Sequence, residues 1–77
     1  ANREFQLMEL FMHNAGTRMP TERLMLEVWG EDAPEGANVV WVYISYLRKK
    51  LTALGADVAI RASRNQGYSL EVVEEGE

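Results

Sequence analysis

Apolar residues recur along this chain in more than one rhythm. Between residues 2 and 14 they stand at Phe5, Leu7, Met8, Leu10, Phe11 and Met12, a broad stripe at helical spacing closed by the stop signals Asn14 and Gly16. After a short extended link, Thr17 to Met19, Pro20 and Thr21 open a second, shorter helix that carries Glu22 in its first turn. Its Leu24 and Val28, with Met25 and Trp29 beside them, repeat at helical spacing up to the terminator Gly30. Residues 30 to 36, Gly-Glu-Asp-Ala-Pro-Glu-Gly, have turn chemistry and no core-facing pattern, which predicts a loop.

The next stretch, from Asn38 to Lys50, is rich in β-branched and aromatic residues that favour strands. Its spacing decides for a helix. At about 100° per residue, Val40, Ile44, Leu47, Leu51 and Leu54 fall within one arc of roughly 80°. A strand of about 17 residues would be some three times the usual length, whereas a helix from 38 to 54 with Gly55 at its C′ position is ordinary. The opposite side of that helix carries Asn38, Val42, Ser45, Tyr46 and Lys49, with Trp41 and Arg48 on one flank and Tyr43 and Lys50 on the other. Beyond Gly55 the chain alternates, with Val58, Ile60 and Ala62 in one run and Tyr68, Leu70 and Val72 in the next. Residues 64 to 67, Arg-Asn-Gln-Gly, supply the turn of a hairpin.

Composition narrows the class. A chain of 77 residues is one small domain, here with 47% hydrophobic and 26% charged residues, ordinary globular values. It has no cysteine, so neither a disulfide framework nor a thiolate metal site is available, and a cytoplasmic location is expected. No apolar run approaches the roughly 18 residues of a membrane span. The net charge of −4 argues against a polyanionic partner until its distribution is considered. Residues 1 to 37 set three arginines against seven acids, residues 38 to 70 set five cations against Asp57 alone, and the last seven residues add four glutamates. An acidic total therefore hides a basic middle, and the local field is what steers a polyanion.

The order helix, helix, loop, long helix, hairpin resembles the OmpR/PhoB-type winged helix-turn-helix, the DNA-binding output domain of many bacterial response regulators. The matching landmarks run through the whole chain. They are residues 4 to 8 (Glu-Phe-Gln-Leu-Met), Gly16, residues 22 to 24 (Glu-Arg-Leu), residues 28 to 30 (Val-Trp-Gly), the pattern Val40, Val42, Ile44, Ser45 and Leu47 to Leu51, Ile60, and residues 67 to 70 (Gly-Tyr-Ser-Leu). The resemblance implies a mainly α fold with a small β-hairpin, in which residues 1–77 form a winged helix-turn-helix lacking the family's usual N-terminal sheet. Helix 38–54 would be the recognition helix in the major groove, and hairpin 58–73 the wing at the minor groove.

The DNA-binding residues this implies are Asn38, Val42, Tyr43, Ser45, Tyr46, Arg48, Lys49 and Arg64. Loop 30–36, with Glu31, Asp32 and Glu35, corresponds to the segment that meets RNA polymerase. The implied partners are double-stranded DNA, RNA polymerase, a receiver domain in a longer chain and a second copy paired head-to-tail on DNA. Absence of the preceding sheet implies an exposed apolar patch on the first helix. The chain departs from the family pattern at Asn38 and Tyr46, where arginine is common, and at Trp41, Tyr43, Ala62 and Asn65, where aspartate, histidine, threonine and glycine are. These departures bear on base preference. They also leave open a winged-helix protein-interaction module that uses Trp41, Tyr43 and Tyr46, aromatic types that favour interface hot spots.

For the remaining side chains plainer roles are expected. Trp29, Tyr68 and Trp41 are expected in packing, Lys50 at a solvated helix end, and His13, the single histidine, in solvent rather than on a metal. Glu31, Asp32 and Glu35 have no nucleophile or phosphate loop beside them, so no catalysis, metal or cofactor is expected.

Overall fold

The computed structural model describes residues 2–32 and 38–73, with the side chains of Asn2, Asp32 and Asn38 outside that description. Its elements are α1 (Asn2–His13), α2 (Thr21–Val28), a 3-10 turn (Gly30–Asp32), α3 (Asn38–Ala53), β1 (Val58–Ser63) and β2 (Gly67–Val72). The expected three helices and hairpin are thus found in the expected order.

Each helix turns one stripe inward. Leu7 and Phe11 of α1, Leu24 and Val28 of α2, and Val40, Ile44 and Leu47 of α3 meet Ile60 and Leu70 of the hairpin in a single core. Phe5 and Met12, on the far side of α1, are exposed, and Met8 is partly so. The expected apolar patch on the first helix is therefore present.

Chain geometry at the helix ends follows local chemistry. Asn14 closes α1 by donating from Nδ2 to the Leu10 carbonyl at 2.9 Å. Arg3 donates from Nη1 to the Val28 carbonyl at 2.7 Å, satisfying an acceptor at the C-terminal end of α2. α3 ends in a Schellman arrangement: the Ala56 N–H donates to the Leu51 carbonyl at 3.0 Å and the Gly55 N–H to the Thr52 carbonyl at 3.1 Å. Gly55 occupies the left-handed C′ position at φ +66°, as its place in the sequence predicts.

β1 and β2 pair antiparallel with Ile60 opposite Leu70 and Ala62 opposite Tyr68. Because side chains alternate, this register puts Val58, Ile60 and Ala62 on one face with Tyr68, Leu70 and Val72. The turn is one residue shorter than the sequence suggests. Ser63 pairs with Gly67, and Arg64, Asn65 and Gln66 make the turn, with Asn65 at φ +63°, a left-handed conformation that asparagine tolerates. The link before α2 does more than connect. Met19 and Tyr68 exchange backbone hydrogen bonds of 2.8 and 3.0 Å, and the Gly16 N–H reaches the Leu70 carbonyl at 2.8 Å, so the link lies along the free edge of β2.

Two packing expectations are corrected. Leu54, assigned to the core row of the third helix, is 80% exposed. It lies at the edge of the apolar arc and caps the helix one residue beyond Ala53, past the reach of the elements that cover Leu47 and Leu51. Trp41, expected to pack against the wing or the second helix, is 59% exposed. The hairpin packs beside the C-terminal half of α3, around Arg48, Leu51 and Ile60, and nearer the start of α3 it is Tyr43, on the other flank, that meets Trp29.

Candidate nucleic-acid interface

Burial of Val40, Ile44 and Leu47 leaves Val42, Ser45, Tyr46 and Lys49 on the opposite side of α3, as a 3.6-residue period requires. Lys49 is exposed, Tyr46 is 47% exposed, and Val42 and Ser45 are half-buried between their neighbours. Ser45 donates its hydroxyl to the Trp41 carbonyl at 3.1 Å, a back-bond to the preceding turn. α3 contains no acidic residue, so nothing on the helix itself opposes an anion.

Two of the expected contact residues also hold the domain together. Arg48 donates from Nε to the Ile60 carbonyl at 3.1 Å and so fixes the wing against α3, leaving its other guanidinium donors for an anion. Tyr43 is half-buried between two rings. Its centroid lies 5.3 Å from Trp29 at an interplanar angle of 63°, and 5.8 Å from Tyr46 at 78°. Both are edge-to-face pairs, the geometry aromatic rings prefer. The result is a ladder that runs from the buried Trp29 through Tyr43 to Tyr46 at the surface. Lys50 behaves differently from its neighbour Lys49, for it turns back to Glu4 of α1 in a 2.8 Å ion pair.

At the wing, Arg64 is exposed in the turn and Arg61 is exposed on β1. Arg18, which sequence reasoning did not single out, joins this end of the molecule by donating to the Gln66 side chain. The signal was indirect: Arg18 precedes Met19, whose pairing with β2 places the link beside the wing. The acidic residues are less fully described. Glu31 is exposed in the 3-10 turn, whereas Glu35 and the side chain of Asp32 lie outside the described residues, as does the side chain of Asn38. His13 is exposed at the end of α1, and among the described residues no cluster of three or more His, Cys, Asp or Glu could hold a metal ion. Among those residues no helix is long and apolar enough to cross a membrane.

Three helices with an acid-free third helix, closed by a hairpin beside its C-terminal half, define a winged helix-turn-helix. The chain belongs to the OmpR/PhoB-type DNA-binding domains of transcriptional regulators: the family described as "Transcriptional regulatory protein, C terminal" matches residues 1–70. Among its relatives is the transcriptional regulatory protein DltR of Streptococcus agalactiae, 46% identical over 71 residues that cover 92% of this chain and 32% of that protein. The response regulator MprA of a Mycobacterium species is 40% identical over 67 residues, covering 87% of this chain and 29% of that protein. Among solved structures, the DNA-binding domain of Bacillus subtilis CssR superposes with a TM-score of 0.78 at 28% identity, covering 91% of this chain and 75% of that one. The chain therefore spans about a third of the length of these regulators.

Proposed function

We propose that the domain binds double-stranded DNA as the output module of a response regulator, with α3 in the major groove and the wing at the minor groove. The observation that carries this is where the charge lies. Five cations and two acids, Asp57 and Glu71, fall in residues 38–72, the segment that forms α3 and the wing, and Lys49, Arg61 and Arg64 among them are exposed. An α-helix fits the major groove of B-DNA, and the amides at the start of α3, around Asn38, suit a phosphate. In this reading Arg48 and Lys49 contact phosphates, Arg64 enters the minor groove, Val42, Ser45 and Tyr46 face the bases, and Tyr43 supports Tyr46. Membership of the family supports the same assignment.

The longer protein would work in the cytoplasm. A receiver domain would control the output domain, and two copies would pair head-to-tail on tandem sites. The loop bearing Glu31, Asp32 and Glu35 would face RNA polymerase, and preceding chain would cover Phe5, Met8 and Met12.

The test is an anisotropy titration against duplexes selected from a random pool, repeated over a range of salt. Affinity should fall steeply as salt rises, because phosphate contacts release counterions. Lys49→Ala should weaken binding to all sequences to a similar extent and lower the salt slope by about one. Lys50→Ala, whose side chain is engaged by Glu4, should leave the slope unchanged. If no sequence binds in a salt-sensitive way, while Tyr46→Ala breaks self-association and Lys49→Ala and Arg64→Ala do nothing, the face serves protein contact instead.

A further inference from the structure

The outward face of α3 is unusual in what it offers a base edge. Guanine is recognised chiefly by arginine or lysine that donates to O6 and N7, and adenine by the amide of asparagine or glutamine, whereas thymine presents a C5-methyl group that accepts apolar contact. In this helix the Ser45 hydroxyl and one of the Arg48 donors are already engaged. The Ser45 hydroxyl is committed to the Trp41 carbonyl at 3.1 Å, and Arg48 is drawn toward the wing by its Nε bond to Ile60 at 3.1 Å. Beside the exposed ammonium of Lys49, assigned above to phosphate, what the face presents is apolar. Val42 is half-buried at its middle, and Trp41 and Tyr46, 59% and 47% exposed, stand on its two sides.

An indole and a phenol ring exposed at two edges of one helix face are costly to leave in water. Other large apolar side chains are exposed too, but these two border the face that the DNA-binding assignment turns toward the bases. The Tyr46 ring is also held in place, since it packs edge-to-face on Tyr43, which packs in turn on the buried Trp29. A ring fixed in this way loses little conformational freedom on binding, which favours affinity.

We infer that this domain reads its site mainly through thymine methyl groups, with Trp41, Val42 and Tyr46 as the specificity-determining residues and an A·T-rich sequence as the preferred ligand. The inference rests on the DNA-binding assignment above. Trp41, exposed rather than packed, borders one side of this face and Tyr46 the other.

Removing a methyl group from such a contact costs about fourfold in affinity for each thymine. The experiment takes the duplex selected from a random pool and compares it with the same duplex carrying deoxyuridine in place of thymine, which deletes the C5-methyl and keeps the base pairing. The expected results are an A·T-rich selected site, a loss of roughly 15-fold where two methyls are contacted, and a much smaller loss for Trp41→Ala and Tyr46→Ala, which no longer sense the exchange. Circular dichroism confirms that both variants are folded, as exposed positions allow. Salt-sensitive binding to a G·C-rich site with no effect of deoxyuridine overturns this inference and leaves the DNA-binding assignment standing. Absence of salt-sensitive binding to any duplex overturns both.

Discussion

Gly67→Ala is expected to destabilise the domain by about 3 kcal/mol or more, from the strain and overpacking it introduces. Gly67 has φ +91°, and a Cβ built on it would lie 1.9 Å from the Met19 carbonyl oxygen and 2.6 Å from the Met19 carbonyl carbon. Both are backbone atoms, so no side chain can swing aside. The carbonyl that would be struck is the one that accepts from Tyr68 at 3.0 Å, so relief of the clash breaks the seam between the link and β2. A domain of this size has only about 4 to 12 kcal/mol of stability in total. At about 4 to 8 °C for each kcal/mol, the melting temperature should drop by roughly 12 to 24 °C. A thermal melt followed at 222 nm checks this, and a drop of only a degree or two would show that the link does not hold the wing as described.

The second large effect is expected at Phe11. Its ring is fully buried between α1 and the rest of the core, so Phe11→Ala should cost about 3 to 5 kcal/mol through lost burial and the cavity left behind. Phe5 lies on the same helix and is 67% exposed. Phe5→Ala should change stability by no more than about 0.5 kcal/mol, the usual range for a surface position. Urea denaturation of the two variants side by side makes the comparison. Equal losses would mean that Phe5 is buried in solution, by a second copy or by a different arrangement of α1.

These two phenylalanines also show how far the sequence could be read. The six apolar residues of α1 form one broad stripe, and periodicity alone does not say which part of it faces the core. Only the positions of α2, α3 and the hairpin separate Leu7 and Phe11 from Phe5 and Met12. In α3 the row Val40, Ile44 and Leu47 was legible because it repeats through successive turns, and Gly55 was legible because a left-handed C′ residue is a local requirement. Leu54 and Trp41 were misjudged because burial there depends on where neighbouring elements stop, which is a tertiary fact. The candidate interface was legible as charge, since Lys49 and Arg64 stand exposed as expected. Side-chain engagement was not legible. Spacing separates Lys49 on the outward side from Lys50 on a flank, but nothing in it names Glu4 as the partner of Lys50 or marks Arg48 as the link to Ile60.

Function in this account depends on how these layers connect. The core row of α3 fixes which residues face outward, the Arg48 bond sets the wing beside the helix, and the ring ladder from Trp29 holds Tyr46 in position. The stability of the fold and the shape of its reading face thus share residues. Tyr43 stands at the junction, half-buried against Trp29 yet in contact with the ring proposed to meet a base.

The most direct test of the central claim is an NMR titration of the isotope-labelled domain with the selected duplex at moderate salt. The largest amide shifts should fall on Val42, Ser45, Tyr46, Lys49 and the wing turn around Arg64, while Phe5 and Met12 on the exposed face of α1 should stay still. Shifts concentrated on that face of α1, or none on α3 at saturating DNA, would contradict it.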